Sequence, residues 1–189
     1  MTQLIQDLRA NVSEMFKYEG SGHDIYHLDR VYRLALYLQE REDGDKLVIG
    51  VSAFLHDIHR LMQNESKKYC PPEESLPRVK SILDKMNLAD DIVDNILHCI
   101  RFHEEYGFSK NGKSVSDIET LILQDADNLD AMGRIGIART IYYSGANGVP
   151  MYLPEVPFND LPYDETYKDV SVIHHFHNKL LRLKDNINT

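Results

Sequence analysis

Four polar side chains stand where the surrounding pattern is apolar: His27, His56, Asp57 and Asp127. His27 opens a helical stripe continued by Val31, Leu34 and Leu38. His56 and Asp57 end one of the most apolar runs in the chain, Leu47 to Leu55, and Asp127 continues the face of Leu123. Neighbouring imidazole and carboxylate groups are costly to bury without partners. Either they pair or cap within a core, or they face a cation that repays their desolvation. Two imidazoles and two carboxylates brought from separate helices suit Mn, Mg, Fe, Co, Ni or Zn better than a soft-ligand metal. Such a set leaves about two octahedral positions for water and substrate, and water on such an ion becomes a nucleophile near neutral pH.

Other side chains fall close enough to join this chemistry. Arg30 lies one helical turn after His27 and has the fork geometry for a phosphate oxygen; an ion pair with Asp24 or another carboxylate is the alternative. His23 and Asp24 could orient His27 or line the mouth of a site, and Asp24 serves equally as a helix cap. His103 ends the stripe Ile92, Ile96, Ile100, where it could bind a second metal or protonate a leaving group. His98 is five residues earlier, roughly 140° around an ideal helix, so packing suits it better than the same metal. Asp130, one turn past Asp127, is placed to hold a metal water. Arg134 and Arg139 pair with acids or touch substrate. His174, His175 and His177 point in different directions and read as solvated or capping residues.

Helices must position these groups, since the periodicity is helical nearly throughout. Leu4, Leu8, Val12 and Met15 form a first stripe. Leu47 to Ile58 is apolar on most sides, hence central. Ser116 and Glu119 have capping-box spacing ahead of a helix running through Asp127. Val172, Phe176, Leu180, Leu183 and Ile187 make a final amphipathic helix. The pattern predicts an all-α, single-domain helical bundle over 1–189, with its core at about 20–185. Residues 144–169 break it with four prolines (Pro150, Pro154, Pro157, Pro162) and with Tyr152, Phe158, Tyr163 and Tyr167. So aromatic a stretch predicts an ordered segment, either a lid or pocket wall or a crossover connection. Residues 63–77, with Pro71 and Pro72, predict a second, more mobile loop.

Length and charge bound the function classes. At 189 residues one sizeable core is available. A net charge of −9, with 21 Lys and Arg against 30 Asp and Glu, argues against a nucleic-acid duplex as partner. Small anions remain possible where a metal or Arg offsets the field. Cys70 and Cys99 alone make neither a disulfide framework nor a thiolate zinc site. The N-terminus lacks a signal-peptide h-region and no stretch has transmembrane length, so a cytoplasmic protein with no membrane partner is expected. Oligomeric state stays open, a homodimer included.

The segments "GHDIYHLDRV", "FLHDIHR" and "LQDADNLDAMGRIGIART" resemble the signature segments of the HD superfamily of metal-dependent phosphohydrolases. The likeness covers about residues 20–185 and is nearest to a branch of small, stand-alone bacterial HD hydrolases. It implies an HD-type helical bundle with His27, His56, Asp57 and Asp127 as ligands of a divalent metal ion. It also implies a phosphohydrolase acting on a small phosphorylated substrate, a phosphomonoester or nucleotide. In that scheme Asp57 also helps take a proton from water, Arg30 holds the phosphate, and His103 assists the leaving group or binds a second ion. Aromatic residues of 144–169 would stack on a base. Two other outcomes belong to the same superfamily: a di-iron oxygenase, favoured by a functional His98–His103 pair, and a nucleotide-binding regulatory module without turnover. The chain departs from relatives at Asn128, where Lys often follows "DAD", and at His59, where a small residue is common. Relatives tend to continue past "LKDNINT" with another helix, so the chain is expected to be truncated or short there.

Overall fold

The computed structural model describes residues 2–158, 162–164, 166 and 169–189. Its centre is α3 (Lys46–Leu55), in which every residue from Val48 to Leu55 is buried. A helix apolar on all sides needs neighbours on all sides. Those neighbours are α1 (Gln3–Met15), α2 (Ile25–Glu42), α6 (Asp90–Phe102) and α7 (Ile118–Asp130). Between α3 and α6 run α4 (Ile58–Ser66) and α5 (Pro72–Leu83), which pack on each other. α8 (Gly133–Ala146) follows α7, and α9 (Val172–Asn178) leads into a 3₁₀ turn, Leu180–Asp185. The fold is all-α; among the described residues the sole β feature is an isolated bridge between Ser109 and Tyr163. Among the described residues no helix is long and apolar enough to cross a membrane.

Local chemistry sets the helix starts. Asp24 caps α2 and accepts from the His27 N–H, which leaves His27 in the first turn facing the core. α7 is capped by Asp117, which accepts from the Thr120 N–H. The capping box expected from Ser116 is therefore displaced by one residue, and Glu119 instead accepts from the Asp45 N–H across the α3 entry. The loop expected over 63–77 shrinks to 67–71. α4 runs to Ser66, and α5 starts on Pro72, a first helical position that needs no N–H. The final amphipathic helix is also not continuous. α9 ends before Lys179 (φ −125, ψ −64), and the 3₁₀ turn then places Leu180 and Leu183 on one side, both buried beside Tyr106. In a 3₁₀ turn residues three apart eclipse, which an α-helical register does not achieve.

Candidate metal centre

Each imidazole at the bundle's centre is held by its Nδ1. His56, at the C-terminal end of α3, lies 3.0 Å from the Ala53 carbonyl; His59, in the first turn of α4, lies 3.0 Å from the His56 carbonyl. His103, closing α6, lies 2.7 Å from the Ile100 carbonyl, and His27 lies 2.8 Å from Asp130 Oδ2. These oxygens only accept, so Nδ1 carries the proton and Nε2 presents a lone pair. All four Nε2 atoms are buried without a hydrogen-bond partner, as is Asp57 Oδ2. Five orphaned buried acceptors in one place call for a cation.

The spacing fits one. His27 Nε2 lies 3.2 Å from Asp57 Oδ2 and 3.5 Å from Asp127 Oδ1; His56 Nε2 lies 3.5 and 3.9 Å from the same oxygens. Ligand atoms at about 2.1 Å from a common ion lie about 3.0 to 3.5 Å apart. The sharp turn between α3 and α4 supplies His56 and Asp57 together, with Asp57 outside either helix (φ −92, ψ 13). His27, His56 and Asp57 form one candidate donor group, and Asp57, His59 and His103 form a second that shares the carboxylate. Glu104 Oε2 stands 3.5 Å from His59 Nε2.

Burial favours the neutral imidazole that metal ligation requires. It lowers His56 and His23, and takes His103 to about 4. His27 is the exception: burial would lower it, but the hydrogen bond to Asp130 and the Asp57 carboxylate close to Nε2 outweigh that and raise its pKa. Burial likewise works against the charge on Asp57, yet His56, His23 and His27 around it hold the carboxyl well below the usual range. Cys99 is no nucleophile, its thiol pushed up to about 12 by burial.

The surrounding shell differs from the sequence expectation at several residues. Arg30 does not reach toward a phosphate. Its fork closes on Asp130, Nε to Oδ1 at 2.6 Å and Nη2 to Oδ2 at 3.0 Å, and it lines a separate shallow cleft. Asp130 is buried and orients His27 rather than holding a water; Arg139 is the third side chain to donate to it, Nη1 to Oδ2 at 2.9 Å. Asp24 is the α2 cap, and His23 lies with Nδ1 3.3 Å from Ser21 Oγ on the cavity wall. His98 turns outward to Asp117 at 3.0 Å, clear of the donor cluster. His174 is buried between Ser171 Oγ and the Val156 carbonyl, not solvated, because the aromatic segment folds over it. His175 pairs with Asp169, and His177 packs on Phe158. Asn128 is buried and is not among the cavity's lining residues.

Asp57 and Asp127 open onto a cavity of about 480 Å³. Its walls include His23, Arg60, Glu104, Arg139, Tyr143, His175 and Lys179. Residues 144–169 supply Ser144, Asn147, Val149, Tyr163, Thr166 and Asp169, so this segment forms a pocket wall. Of its aromatic residues Tyr163 faces the cavity, Tyr152 and Phe158 stack on each other and on His174, and Tyr167 lies outside the described residues. His59, Arg60, Glu104 and Lys179 were not legible as site residues. The first two lie two and three residues after Asp57 and Glu104 follows His103, so proximity in sequence was the signal; Lys179 had none.

The chain is similar to several known proteins. YpgQ of Bacillus subtilis (strain 168), described as uncharacterized, is 32% identical over 184 residues, spanning 97% of this chain and 80% of YpgQ. The crystal structure of YpgQ in complex with ADP matches with a TM-score of 0.68 at 30% identity, covering 98% of this chain and 84% of that one. A crystal structure from Lactobacillus plantarum reaches a TM-score of 0.84 at 30% identity, covering 100% of this chain and 86% of the other. A crystal structure of an HD-superfamily hydrolase from Bacillus thuringiensis is 34% identical with a TM-score of 0.66, covering 98% of this chain and 82% of the other. The HD domain family model matches residues 24–132, from the cap above His27 to the end of the α7 turn, and the chain belongs to that family.

Proposed function

We propose that the protein is a cytoplasmic metal-dependent phosphohydrolase acting on a small phosphate ester, with nucleotides the first class to test. The observation that carries this is the convergence of orphaned buried acceptors, His27 Nε2, His56 Nε2 and Asp57 Oδ2, on Asp57, which itself lines the cavity. A divalent cation held by His27, His56, Asp57 and Asp127 supplies Lewis-acid polarisation and water activation. The chain's own residues do the rest. Asp130 fixes the His27 ring, and Arg30 and Arg139 fix Asp130. Asp57 stays ionised, so it serves as a ligand and is a poor proton acceptor. His103 is neutral at pH 7 with Nε2 bare, which suits ligation of a second ion better than proton transfer. Tyr143 and Tyr163 line the cavity where a base would lie, and the ADP complex of the related YpgQ supports a nucleotide-sized anion.

The second donor group, Asp57 with His59 and His103, favours one other reading, a dinuclear iron oxygenase. The His98–His103 pair that would favour it is not formed, in keeping with their angular separation, since His98 lies on Asp117. Phosphate release from a panel of nucleotides and sugar phosphates distinguishes the two. Metal-stripped protein is resupplied with Mn, Co, Ni, Mg or Zn, beside Asp57→Ala. Metal-dependent release lost in Asp57→Ala supports the hydrolase. No release with any metal, together with iron-dependent O₂ uptake, would overturn it.

A further inference from the structure

Arg30 and Arg139 are spent on Asp130, which leaves open what meets the charge of a bound anion. The remaining buried charges of the cavity can be paired off, while Lys67 and Lys68 line it only from exposed positions. Asp169 accepts from His175 Nδ1 at 2.6 Å and from Asn178 Nδ2. Glu104 is closed on by Arg60 Nη2. Arg60 Nε is buried, has no hydrogen-bond partner, and lies 3.8 Å from Asp57 Oδ1. Lys179 is held against rings, its Nζ 4.6 Å from the Tyr106 ring centre and 5.5 Å from that of Tyr163. A ring face attracts an ammonium and does not neutralise it. Burial works against the charge on Lys179, but Tyr106 and Glu104 outweigh it and raise its pKa, so the group stays cationic. Glu104, the carboxylate they would share, is already committed to Arg60. The backbone break before the 3₁₀ turn, anchored by Leu180 and Leu183 beside Tyr106, brings Lys179 to the cavity wall.

We infer that Lys179, with Arg60 beside it, is the anion subsite of the cavity and binds phosphoryl oxygens that are not on the cation. This rests on the phosphohydrolase reading and adds a residue from the far end of the chain, about 120 positions from the HD pair. It also accounts for a phosphate-binding wall in a chain of net charge −9.

The test is calorimetric binding of inorganic phosphate at fixed ionic strength to Mn²⁺-loaded protein and to protein in chelator, for wild type, Lys179→Met and Lys179→Arg. Mn²⁺ affinity is measured separately. The expected result is a loss of phosphate affinity of about 10-fold or more in Lys179→Met, with or without metal, and substantial recovery in Lys179→Arg. Mn²⁺ affinity stays within about 2-fold throughout, since the metal donors are other residues. Should Lys179→Met lose its melting transition, phosphate protection of Lys179 in wild type against reductive methylation, read by peptide mass spectrometry, decides. Wild-type phosphate affinity in Lys179→Met, or no protection of Lys179, overturns the subsite and leaves Lys179 a structural partner of Tyr106. Failure of wild type to bind Mn²⁺ overturns the phosphohydrolase reading instead, and the chelator arm still reads Lys179.

Discussion

His27 has two anchors, and they make it the proton-sensitive member of the cluster. Asp130 holds Nδ1 and Asp57 stands 3.2 Å from Nε2, so the ring binds a proton more tightly than an ordinary histidine. A divalent cation competes with that proton for Nε2. His56 and His103, lowered by burial, are already bare at neutral pH. Metal affinity is therefore expected to rise with pH through the neutral range, with about one proton released per ion bound, as titration in buffers of different ionisation enthalpy will show. Removing the anchor has a separate effect. Asp130→Asn frees Arg30 and Arg139 and unfixes the His27 ring, with an expected loss of about 10- to 100-fold in metal affinity by Mn²⁺ titration. The clustering of His27, His56, Asp57 and Asp127 was legible because all four interrupt apolar helical faces. The target of Arg30 was not, because Asp130 is separated from it by 100 residues and only the packing of α2 on α7 brings them together.

At the scale of elements, the α7–α8 junction shows why the third segment reads "LDAMGRIG". Gly133 adopts a left-handed conformation (φ 64), and a Cβ on Gly136 would lie 2.0 Å from the Ala131 carbonyl oxygen. The chain must turn this tightly to bring Arg139 back onto Asp130 and the Gly22 carbonyl. Gly136→Ala is expected to cost about 2 kcal/mol or more in chemical denaturation, since backbone and not a flexible side chain is in the way. The start of α7 gives a milder case. Asp117→Ala removes the cap and is expected to cost about 1 kcal/mol at pH 7. Burial would raise the Asp117 pKa, but Thr120 and His98 outweigh it and hold it below the ordinary value. Its contribution is thus complete above the unfolded carboxyl pKa and fades as pH falls through the folded one. The difference between wild type and variant should shrink toward zero below about pH 3 in pH-dependent melts. Helix identity was legible from periodicity for α1, α2, α3 and α6. The cap of α7 and the break before Lys179 were not, because both depend on tertiary partners, Asp45 for Glu119 and Tyr106 for the 3₁₀ turn.

For the whole molecule, the bundle stores its unpaired acceptors at the junction of α2, α3, α4, α6 and α7, the elements whose packing defines the core. A cation that satisfies them ties those helices together and stabilises the fold by linkage. At metal concentrations about 100-fold above Kd, chelation is expected to lower Tm by roughly 5–10 °C in differential scanning calorimetry. The effect should be absent in His56→Ala, which removes a donor without touching the Asp130 network.

The most direct test is a Mn²⁺ titration of metal-free protein followed by electron paramagnetic resonance, for wild type, His56→Ala and Asp57→Ala. Tight binding of one ion or two by wild type, weakened by orders of magnitude in both variants while both still melt cooperatively, is the predicted result. Folded wild type that leaves Mn²⁺, and Co²⁺, Ni²⁺ and Zn²⁺ in parallel calorimetric titrations, free in solution would contradict it. The His–Asp cluster would then be a core network rather than a metal centre.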